Sequence, residues 1–162
     1  MGAITLQEKF TSDSVRSFEP GETVFNEGDD SREMFVVLEG TVEVVKVSSR
    51  GEIKLARISR GEFLGEMSLL ESLPRSATAR AVDHVKLLAI QPGGFLLKIR
   101  RDPTFAFEIM QSLSRRIRLT NEALMAALNQ GTATPDNVRQ IIQGAEFDNK
   151  QSDGAPPVDS KL

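Results

Sequence analysis

The chain has 162 residues, a single histidine, no cysteine and a formal net charge of −3. That length suffices for one domain with a proper core, and the acidic balance argues against nucleic acid as the main partner, because phosphate backbones need a basic face. The missing cysteines exclude a disulfide frame, a thiolate metal site and a cysteine nucleophile, and with His84 as the lone imidazole there is no plausible Ser/His/Asp grouping and no jelly-roll metal site of the cupin type, so neither an enzyme nor a metal cofactor is expected.

In chain order, Thr5-Leu6-Gln7-Glu8 has the form of a capping box and predicts a short helix over 6–12. No basic segment followed by an apolar run marks a leader there, and no apolar run approaches the ~18 residues of a membrane span. A cytoplasmic protein is the expectation. From Val15 to Gln91 the texture changes to short alternating or β-branched runs at 23–26, 34–38, 41–47, 53–58, 77–83 and 85–90. Turn residues separate them: Pro20-Gly21, Glu27-Gly28-Asp29, Glu39-Gly40, Arg50-Gly51 and Arg60-Gly61. Regular short strands with such punctuation predict an all-β barrel, sandwich or jelly roll.

Inside this β region, Phe63-Leu64-Gly65-Glu66-Met67-Ser68-Leu69-Leu70 is followed by Pro74-Arg75-Ser76-Ala77-Thr78. Gly65 permits close backbone approach, and the amides after it open a short helix. Glu66 supplies a carboxylate and Arg75 a guanidinium. That set suits a ligand with both a hydroxyl and a phosphate. The helix start and Arg75 would take the phosphate, and Glu66 would accept from the hydroxyl. A bare polyphosphate fits poorly, since the carboxylate would repel it. Glu66 and Arg75 could also form a purely structural salt bridge, but their place between a glycine turn and an apolar run favours the site.

Pro92-Gly93-Gly94 ends the β part, and 95–99 reads as a short helix. Asp102-Pro103 then pairs an N-cap residue with proline at the first helical position. Nothing breaks the following helix before Gly131, which gives it a length of ~40 Å. Met110, Leu113, Ile117, Thr120, Leu124 and Ala127 alternate by three and four, the seam of a coiled coil. The expectation is a homodimer through 110–127. From Thr132 the chain is polar, with a short helix expected over 135–143 and disorder after it. The domain is thus placed at 1–131, including a long helix 103–130, with a tail at 132–162.

The run Phe18-x-Pro20-Gly21-Glu22-x-Val24-Phe25-x-Glu27-Gly28-Asp29, continued by Met34-Phe35-Val36-Val37-Leu38-Glu39-Gly40, resembles the first half of the cyclic nucleotide-binding domain family. Gly65-Glu66-x-Ser68-Leu69 through Arg75-Ser76-Ala77-Thr78 resembles that family's phosphate-binding cassette. Arg115-Arg116-Ile117-x-Leu119-Thr120-Asn121-Glu122 resembles the dimer helix of its bacterial catabolite activator branch. The likeness implies an eight-stranded β-roll with flanking helices, mainly β, that binds cyclic AMP or cyclic GMP.

Carried over by position, Glu66 would accept from the ribose 2′-hydroxyl. Gly65, Glu66, Met67 and Ser76, with Ser68 and Ala77 beside them, would surround the ribose and cyclic phosphate. Arg75 would pair with the exocyclic oxygens, and Thr120 and Asn121 would meet the base. Serine after Arg75 leans towards cyclic AMP. The branch's DNA-binding domain has no counterpart in the residues after Gly131, so direct DNA binding is not expected. A sensor module reading cyclic AMP, or else cyclic GMP, for an unidentified protein partner follows from the resemblance. The alternatives are a ligand-free dimerisation or scaffold module, and a regulator acting through a separate DNA-binding chain.

Overall fold

The computed structural model describes residues 14–131, 134 and 136. The helix expected over 6–12 and the tail beyond 136 lie outside these residues. The chain divides into two compact units, with the boundary between Ser112 and Leu113.

Among the described residues, the first unit holds eight strands in two antiparallel sheets. They are β1 (Ser14–Phe18), β2 (Thr23–Phe25), β3 (Met34–Glu39), β4 (Val42–Ser48), β5 (Gly51–Ile58), β6 (Phe63–Leu64), β7 (Thr78–Ala81) and β8 (Val85–Ile90). One sheet runs β1-β8-β3-β6 and the other β2-β7-β4-β5. Chain neighbours therefore often lie in different sheets, the arrangement of a β-roll. Helix α1 (Glu66–Glu71) follows β6, and α2 (Pro92–Arg101) and α3 (Pro103–Asn129) follow β8.

The core forms between the sheets because each strand puts alternate side chains on one face. β3 sends in Phe35 and Val37, β8 sends in Val85, Leu87 and Ala89, and β7 sends in Ala79 and Ala81. The small alanines of β7 leave room for the rings of Phe25 and Phe35, stacked with centroids 6.1 Å apart. Burying a side chain the size of Leu or Phe stabilises by ~1.5–3 kcal/mol. β8 is buried along nearly its whole length, with Val85, Leu87, Leu88, Ala89 and Ile90 all buried. Phe95 and Phe63 both pack edge-on against Phe105, at 6.0 and 5.7 Å.

Two strands carry no clear signal in the sequence. β1 is SVRSF, almost wholly exposed, and exists through its ladder with β8 from Ser14↔Ala89 to Phe18↔Val85. β6 is two residues long, paired as Phe35↔Leu64 and Val36↔Phe63. The helix expected at 95–99 begins earlier, at Pro92, because proline's fixed φ suits the first helical position and Gln91 provides an extended N-cap. Asp102 closes α2 through its N–H to Lys98 O and opens α3 by accepting from the N–H and hydroxyl of Thr104.

α3 contributes Phe105 and Ile109 to the first unit, and its residues from Leu113 onward begin the second. The seam residues Met110, Ile117 and Thr120 are exposed, and Leu113, Leu124 and Ala127 half-buried. Among the described residues no helix is long and apolar enough to cross a membrane.

Candidate functional site

The segment from β6 to β7 builds the site. β6 delivers the chain to Gly65, which adopts φ 78° and ψ 6°, the left-handed region. A side chain is costly there for conformational reasons, and also for space. A Cβ on Gly65 would lie 2.4 Å from Arg75 Nη1 and 3.1 Å from the Glu33 carbonyl. α1 then starts with Glu66, only 2% exposed, and carries Ser68, 3% exposed, one turn behind Gly65. Met67 points outward between them.

Arg75 is the centre of the arrangement. It is 3% exposed, an unusual burial for arginine. Its Nε donates to Ser31 Oγ at 2.9 Å and its Nη2 to the Glu33 carbonyl at 2.6 Å. Nη1 donates to Gly65 O at 3.0 Å and to Ser68 Oγ at 2.8 Å, while the Ser68 hydroxyl donates onward to Gly65 O at 3.2 Å. The guanidinium carbon lies 4.1 Å from the centroid of the Phe25 ring, a cation–π contact. Burial pushes the guanidinium below the usual arginine range, and the charges of Glu33, Asp29 and Glu66 act against that. Arginine keeps its charge in proteins, so the site holds a permanent, largely dehydrated cation. Glu66 is one of the charges that favour it.

The backbone of the same segment is fixed by the β2–β3 loop. Arg75 N donates to Asp29 O, and Gly28 N donates to Arg75 O, both at 2.8 Å. Asp29 turns the loop by accepting from Asn26 N at 2.8 Å. Ser76 is exposed, with its hydroxyl 3.9 Å from Met67 Sδ, and Ala77 is buried where β7 begins.

Gly65, Glu66, Met67, Ser68, Arg75, Ser76 and Ala77 are thus gathered into one place. Thr120 and Asn121 belong to the second unit, where both are exposed on α3 and Thr120 Oγ1 donates back to Arg116 O at 2.9 Å. His84 is a surface residue whose Nδ1 sits 3.2 Å from Glu19 Oε1. Three contributors escaped the sequence reading: Phe25 beneath the guanidinium, Ser31, and the main-chain carbonyl of Glu33. The position of Phe25 in the Val24-Phe25-x-Glu27-Gly28-Asp29 run is the only sequence signal any of them carries.

A paired set of four-stranded sheets, a glycine turn leading into a short helix, and a buried arginine one segment later define a small-anion binding roll. Residues 15–102, more than half of the chain, match the cyclic nucleotide-binding domain model. The chain belongs to that family. It is 36% identical over 104 residues to the cyclic AMP receptor protein of Thermus thermophilus, covering 64% of this chain and 48% of the relative. It is 38% identical over 84 residues to a cAMP-dependent protein kinase regulatory subunit of Mycosarcoma maydis, covering 49% of this chain and 16% of the relative. The crystal structure of the Thermus thermophilus catabolite activator protein superimposes with a TM-score of 0.64 at 35% identity, over 70% of this chain and 54% of the other. The chain therefore spans about half, or less, of the length of these two curated relatives.

Proposed function

We propose that this chain is a cyclic nucleotide sensor, read by an unidentified protein partner, with cyclic AMP as its ligand and no catalytic activity of its own. The observation that carries the proposal is the buried Arg75, set beside left-handed Gly65 and the start of α1 within the region that matches the family. Arg75 takes the exocyclic phosphate oxygens, and the amides at the start of α1 with Ser76 complete the phosphate contacts. Glu66 accepts from the ribose 2′-hydroxyl. Thr120 and Asn121 meet the base. Cyclic AMP rather than cyclic GMP is supported by Ser76 after Arg75, and by the names of the Thermus thermophilus and Mycosarcoma maydis relatives.

The four acceptors around Arg75 are all neutral: two carbonyls and two hydroxyls. An incoming phosphate offers charged acceptors, whose hydrogen bonds are roughly twice as strong. The ligand thus wins the guanidinium by exchange rather than by filling a bare charge. The partly exposed seam of α3 supports a homodimer through 110–127, with that helix carrying the response. A ligand shifts it only by binding two helix positions unequally. Net charge −3 weighs against direct contact with DNA. A cytoplasmic location is part of the same proposal.

A second reading, a ligand-free scaffold, draws on the same observation, since Arg75 is already satisfied internally. Isothermal titration separates the two. Wild type should bind cyclic AMP at micromolar concentration or tighter, with cyclic GMP weaker, and Arg75→Ala should lose about 30- to 1000-fold. A thermal melt of the variant verifies that it is folded. Wild type binding neither nucleotide leaves the scaffold reading standing.

A further inference from the structure

Lys46 lies on β4, one residue past the point where that strand stops pairing with β7. The ladder runs from Val42↔Ala81 to Val45↔Thr78 and ends there. Beyond it the side chain of Lys46 reaches across instead: its Nζ donates to the Ser76 carbonyl at 2.7 Å and lies 2.9 Å from Glu27 Oε1. Glu27 is itself anchored, its N–H donating to Thr78 Oγ1 at 2.9 Å and its other carboxylate oxygen accepting from Val47 N at 3.5 Å. The hydrogen bond from Lys46 holds the Glu27 carboxyl below its ordinary range, against some desolvation. Two segments, β4 and the loop after β2, therefore meet beside the cassette.

An exposed ion pair of this kind contributes little stability. Its contact with Ser76 has a geometric consequence all the same. In a trans peptide the carbonyl of one residue and the N–H of the next lie in one plane and point in opposite directions within it. The Arg75–Ser76 peptide is pinned by Gly28 N, which donates to Arg75 O at 2.8 Å. The Ser76–Ala77 peptide is pinned by Lys46. Ser76 is thus fixed on both sides, with its N–H turned away from the Gly28 loop.

We propose that Lys46, held by Glu27, is a positioning residue for the anion site: it supplies the second pin that presents the N–H and hydroxyl of Ser76 to the ligand's phosphate. The proposal rests on the cyclic nucleotide reading above and deepens it. Pre-organised donors cost no ordering when the ligand arrives. The effect falls on the phosphate end, so it is blind to the base.

The test is titration of Lys46→Met, Lys46→Arg and Glu27→Gln with cyclic AMP and with cyclic GMP, beside thermal melts without nucleotide. Lys46→Met should lose about tenfold in affinity, the cost of ordering the freed Ser76 segment on binding, and by the same factor for both nucleotides. Lys46→Arg should recover most of that loss, Glu27→Gln should show a smaller loss of the same kind, and the unliganded melting points should stay near wild type. If wild type binds while Lys46→Met or Glu27→Gln binds as tightly, this proposal falls and the sensor reading stands. A loss matched by a lower unliganded melting point also overturns it, since Lys46 then serves only the fold. If wild type binds neither nucleotide, both readings fall together.

Discussion

Gly65 and Arg75 constrain each other at the level of single atoms. Arg75 Nη1 occupies the volume that a Cβ on Gly65 would need, and the same nitrogen donates to the Gly65 carbonyl. Gly65→Ala therefore meets two penalties, the left-handed backbone and the displaced guanidinium. It should lower the free energy of unfolding by about 1–3 kcal/mol, read by urea denaturation. A variant as stable as wild type would mean that Arg75 moves aside without loss. The glycine, the carboxylate and the arginine were legible in the sequence because each is a residue type whose chemistry is scarce elsewhere in the segment. The Glu33 carbonyl was not, because a main-chain acceptor has no residue signature. Nor was the ring of Phe25, whose apolar spacing marks only a core position, and it is both core and platform for the guanidinium.

Among the elements, legibility follows the strength of the periodic signal. β3 and β8 each hold a continuous apolar stretch, Met34 to Leu38 and Leu87 to Ile90, and their pairing register from Met34↔Ile90 to Val37↔Leu87 buries both faces. β1 and β6 depend on partners remote in sequence, so local pattern could not reveal them. α3 was read correctly in extent to within a residue or two, from Pro103 to Asn129, because proline, an aspartate cap and an unbroken run define it locally. Its apolar seam is a different kind of signal, since it calls for a partner rather than describing one. Ile117 is 61% exposed at its centre. Ile117→Glu should convert the proposed homodimer to a monomer in sedimentation velocity at micromolar concentration, because paired charges replace paired knobs at the seam. Wild type sedimenting as a monomer would remove the dimer, and with it the reason for the seam.

For the molecule as a whole, the site exists only when the β2–β3 loop, β6, α1 and the start of β7 have been brought together. Arg75 draws on Ser31 and Glu33 from one side and on Gly65 and Ser68 from the other. The unfolded chain has no such constellation, so ligand should bind the native state alone. Cyclic AMP at about 100 times its dissociation constant should then raise the free energy of unfolding by ~2.7 kcal/mol, seen as an upward shift of the thermal midpoint. An unchanged midpoint at that concentration would contradict native-state binding.

Turn residues and hydrophobic period were enough to narrow the fold to an all-β barrel, sandwich or jelly roll with a long final helix, and residue chemistry to single out Gly65, Glu66 and Arg75, because these are local properties; the β-roll itself came from the family resemblance. Tertiary structure alone decided what Arg75 does without ligand, since its four acceptors come from segments up to 44 residues away. It also decided that Lys46, paired with Glu27, reaches the carbonyl of Ser76, 30 residues away. Hydrogen-bond partners across such distances are chosen by sheet register and loop path, and neither leaves a mark on the residues that end up touching.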